Sequence, residues 1–228
     1  MTVILLRHGR SSANTAATLA GRTPGIGLDE VGREQSARVR DRLAGLPLSA
    51  IVTSPLQRCR ETVAGLAADF TLDAQVEDRL AEVDYGDWTG RPIKELLSEP
   101  LWKVVQQQPS AVVFPGGEGL AGVQARAVAA VRDHDRALRD DGEGDRLWVA
   151  CTHGDVIKSV LADALGLHLD SFQRIMTVPA AISVISYTDT RPVVHHMNDT
   201  GSDLSGLARL AGAGRTAQTV PGGETGTA

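Results

Sequence analysis

Apolar residues in this chain fall into short continuous runs that alternate with stretches of helical spacing. Residues 2–6 form a β-branched and leucine-rich run, the pattern of a strand covered on both faces. Residues 50–53 and 147–151 repeat it. After the first run, Asp29 is placed to cap a helix whose Val31, Val39 and Leu43 share one side, with Pro47 beyond its end. Pro55 opens a second helix that runs to about Asp69. Leu120, Val123, Ala127, Val131 and Leu138 mark a third at helical spacing, and Asp155 is placed to cap a fourth carrying Ile157, Val160, Leu161 and Ala164. Strands separated by helices require right-handed crossovers, so the expected architecture is α/β: a three-layer sandwich with a mostly parallel central sheet and helices on both faces. Residues 182–187 and 192–197 read as a final hairpin, and its exposed edge offers a surface for a homodimer.

No internal repeat or linker divides the 228 residues, which predicts one domain over 1–201. From residue 202 to 228 the chain turns to Gly, Ala, Thr and Ser, the composition of a flexible tail, with Leu204, Leu207 and Leu210 spaced for a brief helix. At 42% hydrophobic and 22% charged residues the chain as a whole is ordinary globular sequence. The 23 Lys+Arg against 28 Asp+Glu give a net charge of -5, which argues against a nucleic-acid binder and confines any anion site to a local cluster. No apolar run approaches the roughly 20 residues that span a bilayer, and the run at Val3 to Leu6 is too short for a signal-peptide core, so no membrane partner and a cytoplasmic location are expected. Cys59 and Cys151 stand far apart in apolar surroundings and read as reduced structural thiols.

Ligands of such sheets bind beyond the carboxyl ends of the strands. Arg7-His8-Gly9 and Thr152-His153-Gly154 both lie there, and the glycines let the backbone approach a ligand closely. Arg58, one turn into the helix after residues 50–53, brings a second guanidinium to the same edge. Two imidazoles and two guanidinium forks suit a phosphoryl group: one imidazole accepts it on nitrogen while the other groups stabilise the equatorial oxygens. The leaving oxygen then needs a proton from a carboxylic acid, and Glu82, Asp84 and Asp87 all stand near Gly86; chemistry alone does not choose among them. Arg22, in the Gly-rich loop 21–27, is a candidate second anion contact. Lys158, unfavourable at a helix N-terminus, either extends the pocket or is solvated. His134 lies on an apolar helix stripe and reads as packed, His168 as a loop residue, and His195-His196 as strand residues of which at most one faces inward.

Four segments in order carry a resemblance: Leu6-Arg7-His8-Gly9 with Ser11 and Asn14, then Thr53-Ser54-Pro55-Leu56-Gln57-Arg58, then Glu82 with Tyr85-Gly86 and Trp88, then Thr152-His153-Gly154. Together they resemble the histidine phosphatase superfamily, also called phosphoglycerate mutase-like. The resemblance implies that fold, phosphorylation of His8, and a phosphate pocket completed by Arg7, Arg58 and His153 beside Gly154. It gives Glu82 the part of the acid that protonates the leaving group and later activates water. Asn14 matches a residue near the phosphate, and Gly116-Gly117-Glu118 resembles a site-bordering stretch of the phosphatase branch. The ordering also resembles that of actinobacterial proteins grouped as phosphomutases. Val83-Asp84 replaces the basic and aromatic run of the cofactor-dependent mutases, and no basic, aromatic segment follows between Trp88 and Pro115. The function so implied is a metal-independent phosphatase acting on a small phosphorylated metabolite with no cofactor. The alternatives are a phosphomutase that returns the phosphoryl group to a substrate hydroxyl and, from another class, a non-catalytic phospholigand-binding module.

Overall fold

A computed structural model of the chain describes residues 1–140 and 146–201. The elements run β1 (Thr2–Arg7), α1 (Ser12–Thr15), α2 (Glu30–Leu43), β2 (Leu48–Thr53), α3 (Gln57–Phe70) and β3 (Ala74–Val76). They continue with α4 (Ile93–Leu96), α5 (Pro100–Gln107), α6 (Leu120–Asp140), β4 (Leu147–Thr152), α7 (Gly154–Ala164), β5 (Ile182–Tyr187) and β6 (Pro192–Asp199). The strands form one sheet in the order β3-β2-β4-β1-β5-β6. Pairing is parallel from β3 to β1 and antiparallel at β5 and β6. The expected three layers, mostly parallel sheet and closing hairpin are all present.

Alternation along the buried strands builds both layers. Val3, Leu5, Val52, Trp148 and Ala150 point to one face and pack with Val123, Ala127 and Val131 of α6 and Val156 and Val160 of α7. Ile4, Leu6, Ile51, Val149 and Cys151 point to the other, against Val39 and Leu43 of α2 and Cys59, Val63 and Leu66 of α3. Asp29 caps α2 as expected: its Oδ1 accepts from the Gly32 N–H at 2.7 Å. The helix that follows Pro55 starts at Gln57 and has no side-chain cap.

One element was not foreseen and one reading is corrected. The edge strand β3 was not expected, because three residues are too few to show a period. Asp155 does not cap α7; His153 occupies that position, and Asp155 is buried within the first turn with its carboxylate accepting from Tyr85 Oη at 2.8 Å. The expected tail 202–228, with Leu204, Leu207 and Leu210, lies outside the described residues. Among the described residues, no helix is long and apolar enough to cross a membrane.

The first turn of α2 lies directly on the turn that follows β1. A Cβ on Gly9 would stand 2.6 Å from the Gly32 carbonyl oxygen, and one on Gly32 would overlap the Arg10 carbonyl. Both obstacles are backbone, so neither yields by a rotamer change. Gly32→Ala is therefore expected to cost about 1–3 kcal/mol and to lower the melting temperature by roughly 2–10 °C. Thermal unfolding checks this; an unchanged midpoint would show that the two turns have room to part.

Candidate active site

Strand register assembles the site. Arg7 pairs with Thr152 in the parallel β1–β4 ladder, so His8 and His153 leave neighbouring strands at the same level. The His8 N–H donates to the Thr152 carbonyl at 3.0 Å, and the two ring centroids are 5.2 Å apart. On the far side of β4, Thr53 pairs with Cys151 and the Ser54 N–H donates to the Cys151 carbonyl. The chain then turns through Pro55, and the first turn of α3 carries Arg58 back over the two imidazoles.

Arg58 is 2% exposed and Arg7 fully buried, an expensive placement for guanidinium groups. Arg7 Nη1 donates to the Thr177 carbonyl at 2.7 Å. Arg58 Nε donates to His8 Nε2 at 3.3 Å, and Nη2 to the Gly21 carbonyl at 2.9 Å and to His153 Nδ1 at 3.1 Å. Its Nη1 is buried and has no hydrogen-bond partner, a donor suited to an anion in front of His8. His8 Nδ1 donates to the Gly9 carbonyl at 2.7 Å, which leaves the lone pair on Nε2. Burial, then the charges of Arg58 and Arg7, hold the His8 imidazole well below its ordinary value. Burial and Arg58 hold His153 down likewise, so both rings are neutral. With Arg58 donating to Nδ1, the His153 proton sits on Nε2 and is donated to Ser54 Oγ at 2.7 Å. Cys59 Sγ packs 3.4 Å from the same nitrogen.

The three candidate acids differ in burial. Asp87 is exposed. Asp84 Oδ1 accepts from the Gly86 N–H at 3.0 Å and so shapes a turn. Glu82 is 3% exposed, with Oε2 4.0 Å from His153 Nδ1 and Oε1 accepting from its neighbour, the Val83 N–H, at 2.9 Å. Burial and the Asp155 carboxylate push the Glu82 carboxyl up to about 7, against the opposing pull of Arg58 and Arg7.

Of the other expected contacts, Arg22 and Glu118 hold the segment that carries Glu82. Arg22 Nε donates to the Glu82 carbonyl at 2.8 Å, and its Nη2 pairs with Glu118 Oε2 at 2.9 Å. Glu118 also accepts from the Asp84 N–H and from Arg126 Nε, both at 3.0 Å. Arg126 reaches in addition the carbonyls of Arg79, Ala81 and Glu82. Gly86, at φ 51, lies against the Pro115 carbonyl, where no Cβ fits, and so brings 82–88 onto 115–118. Asn14 Oδ1 accepts from Ser11 N and Oγ in a capping box for α1, and Gly154 opens α7 behind His153. Lys158 is neither solvated nor open to a pocket: it is 1% exposed, and its Nζ donates to Gln173 Oε1 at 2.8 Å. Arg126 was missed as a site residue, since nothing local in the sequence distinguishes it from a surface helix residue, and Ser54 stood in the segment before Arg58 without being given a role.

The remaining histidines lie elsewhere. His134 pairs with Glu77 at 2.9 Å beside Trp148, His168 caps a short helical turn, and His195 and His196 are both exposed. No cluster of His, Cys, Asp and Glu suited to a metal occurs among the described residues. Cys59 and Cys151 are both buried free thiols.

The chain is 28% identical over 204 residues to phosphoserine phosphatase 1 of Hydrogenobacter thermophilus, covering 87% of this chain and 92% of that one. It is 32% identical over 202 residues to the bifunctional protein Rv2228c of Mycobacterium tuberculosis, of which the matched region, 87% of this chain, spans 54%. The solved structure of mycobacterial glucosyl-3-phosphoglycerate phosphatase with VO3 superposes with a TM-score of 0.79 at 26% identity, over 86% of this chain and 98% of that one. Residues 3–200 match the family model described as histidine phosphatase superfamily (branch 1). With the paired imidazoles and their guanidiniums standing at the ends of β1 and β4, the chain belongs to the histidine phosphatase superfamily.

Proposed function

We propose that this protein is a phosphatase that hydrolyses a small phosphomonoester through a phosphohistidine on His8. One observation carries the reading: a neutral His8 whose Nε2 lone pair faces a cluster of His153, Arg58 and Arg7, with the buried acid Glu82 beside it. Nε2 attacks phosphorus, the bond to the leaving oxygen breaks, and that oxygen takes the Glu82 proton. The alcohol departs. The Glu82 carboxylate then takes a proton from water, whose oxygen attacks phosphorus; the P–N bond breaks and its electron pair returns to Nε2. Arg7 and Arg58 meet the negative charge throughout. A bound phosphoryl dianion also raises the proton affinity of His153 Nδ1, which turns the second imidazole into a donor.

Water rather than a substrate hydroxyl as acceptor is supported by the two cations offered for a second anionic group. Arg22 is engaged with Glu118 and the Glu82 carbonyl, and Lys158 with Asp155 and Gln173. A mutase needs such a contact to hold a bisphosphorylated intermediate. The presence of all five reacting residues in one cluster favours an enzyme over a phospholigand-binding module. Relatives named as phosphoserine and glucosyl-3-phosphoglycerate phosphatases point to a small phosphorylated metabolite as substrate.

The acid assignment has a leaving-group test. Glu82→Gln is expected to lower kcat/KM, which reports the phosphorylation of His8, by about 10² to 10⁴ on alkyl phosphates and by less than about tenfold on p-nitrophenyl phosphate. In the unaltered protein, kcat/KM for alkyl phosphates is expected to fall as pH rises through about 7, where Glu82 loses its proton. Equal losses on both substrates, or a basic limb that survives in Glu82→Gln, would assign the proton to another group.

A further inference from the structure

The acid rides on a piece of chain that belongs to no helix or strand. A single helical turn ends at Leu80, and residues 81–85 are irregular although Ala81, Glu82 and Val83 are buried. Buried carbonyls outside a ladder need donors from elsewhere. The Glu82 carboxyl is tied to this backbone, because Oε1 accepts from the Val83 N–H at 2.9 Å, so where the segment goes the proton goes too. Arg126 meets the segment from α6, where it stands beside the core residues Val123 and Ala127. Its Nη1 donates to the carbonyls of Arg79 at 2.6 Å and Ala81 at 2.8 Å, and its Nη2 to that of Glu82 at 3.2 Å. Glu118 squares the guanidinium up: Oε1 accepts from Nε at 3.0 Å and Oε2 from Nη2 at 2.9 Å. The same Oε2 accepts from the Asp84 N–H, so the pair grips the segment on both sides of the acid.

We propose that Arg126, squared up by Glu118, is a positioning residue for proton transfer: it holds the backbone of 79–82 so that the Glu82 carboxyl meets the leaving oxygen. The inference rests on the reading of Glu82 as the acid. A planar fork held by five hydrogen bonds leaves the backbone it grips few ways to move. None of the five goes to His8, His153, Arg7 or Arg58, so the hold is on the acid and not on the phosphate cluster. Proton transfer needs its heavy atoms within about 3 Å of each other, and a displacement of about 1 Å can cost about 10²-fold in rate. A displaced Glu82 therefore slows the departure of a poor leaving group, while a good one leaves without its proton.

Arg126→Met keeps an unbranched side chain on α6 and removes the fork. Its kcat/KM is expected to fall by about 10²-fold on an alkyl phosphate and by less than about fivefold on p-nitrophenyl phosphate, so that rates across a series of leaving groups depend more steeply on leaving-group pKa. Arg126→Lys, whose ammonium cannot serve three carbonyls and a carboxylate at once, is expected to keep most of that loss, and it carries the test if Arg126→Met does not fold. In a Glu82→Gln background either substitution is expected to add less than about twofold, because no proton is left to place. A folded variant with equal losses on both substrates, with unaltered rates, or with losses that add in full to those of Glu82→Gln would overturn the inference and leave Arg126 a support of the fold alone. Failure of the acid assignment looks different: Glu82→Gln itself then loses equally on both substrates.

Discussion

His8→Ala is expected to lower kcat by about 10⁴-fold or more and to leave no acid-labile phosphoryl group on the protein after rapid quenching with a labelled phosphomonoester. The size follows from what the imidazole does. Its Nδ1 is committed to the Gly9 carbonyl at 2.7 Å, which aims the Nε2 lone pair into the guanidinium cluster, and burial with two adjacent cations keeps that lone pair free of a proton. No neighbour can replace it. His153 Nε2 is turned to Ser54 Oγ at 2.7 Å and its Nδ1 meets Arg58 at 3.1 Å, so the second ring is held for binding rather than attack. Phosphate-analogue binding is expected to survive the substitution, because Arg7, Arg58 and His153 remain. Label that persists in His8→Ala would move the nucleophile elsewhere.

The parts of this site that the sequence made legible are those written locally. A strand run that ends in Arg-His-Gly, and a second that ends in Thr-His-Gly, place two imidazoles at one sheet edge once the strands pair in parallel; the observed register, Arg7 against Thr152, does this. Burial was not legible. Chemistry alone leaves Glu82, Asp84 and Asp87 equivalent and the resemblance alone names Glu82; the fold adds that the first is buried, the second turned onto Gly86 and the third left in solvent. Asp155 was read as a cap because capping is what an acid at a helix start does by local rules, whereas its partner Tyr85 lies 70 residues away in the chain. Lys158 was misread for the same reason: its partners, Gln173 and Phe172, come from the segment after α7. Arg126 reaches the carbonyls of Arg79, Ala81 and Glu82 from α6, and nothing in its neighbours along the helix announces that reach.

Arg58 separates charge from geometry, and its two substitutions are expected to part company. In Arg58→Ala, kcat/KM is expected to fall by about 10²- to 10³-fold, the loss of a preorganised donor set at the developing charge. The surviving activity should also shift in pH. Arg58 holds His8, His153 and Glu82 all below where they would otherwise titrate. Without it His8 takes up a proton at higher pH, so the acid limb, set by the free nucleophile, moves up. Glu82 retains its proton to higher pH, so the basic limb moves up as well, and the whole profile is displaced toward alkaline pH. Arg58→Lys returns a positive charge but not a planar fork whose Nε, Nη1 and Nη2 serve different directions. Its limbs are expected to lie near those of the unaltered protein while most of the rate loss remains. Profiles of kcat/KM against pH for the two variants check this. If Arg58→Ala lowers the rate with both limbs unmoved, the field of this guanidinium does not set the protonation of the site, and the neutrality of His8 must then come from burial and Arg7.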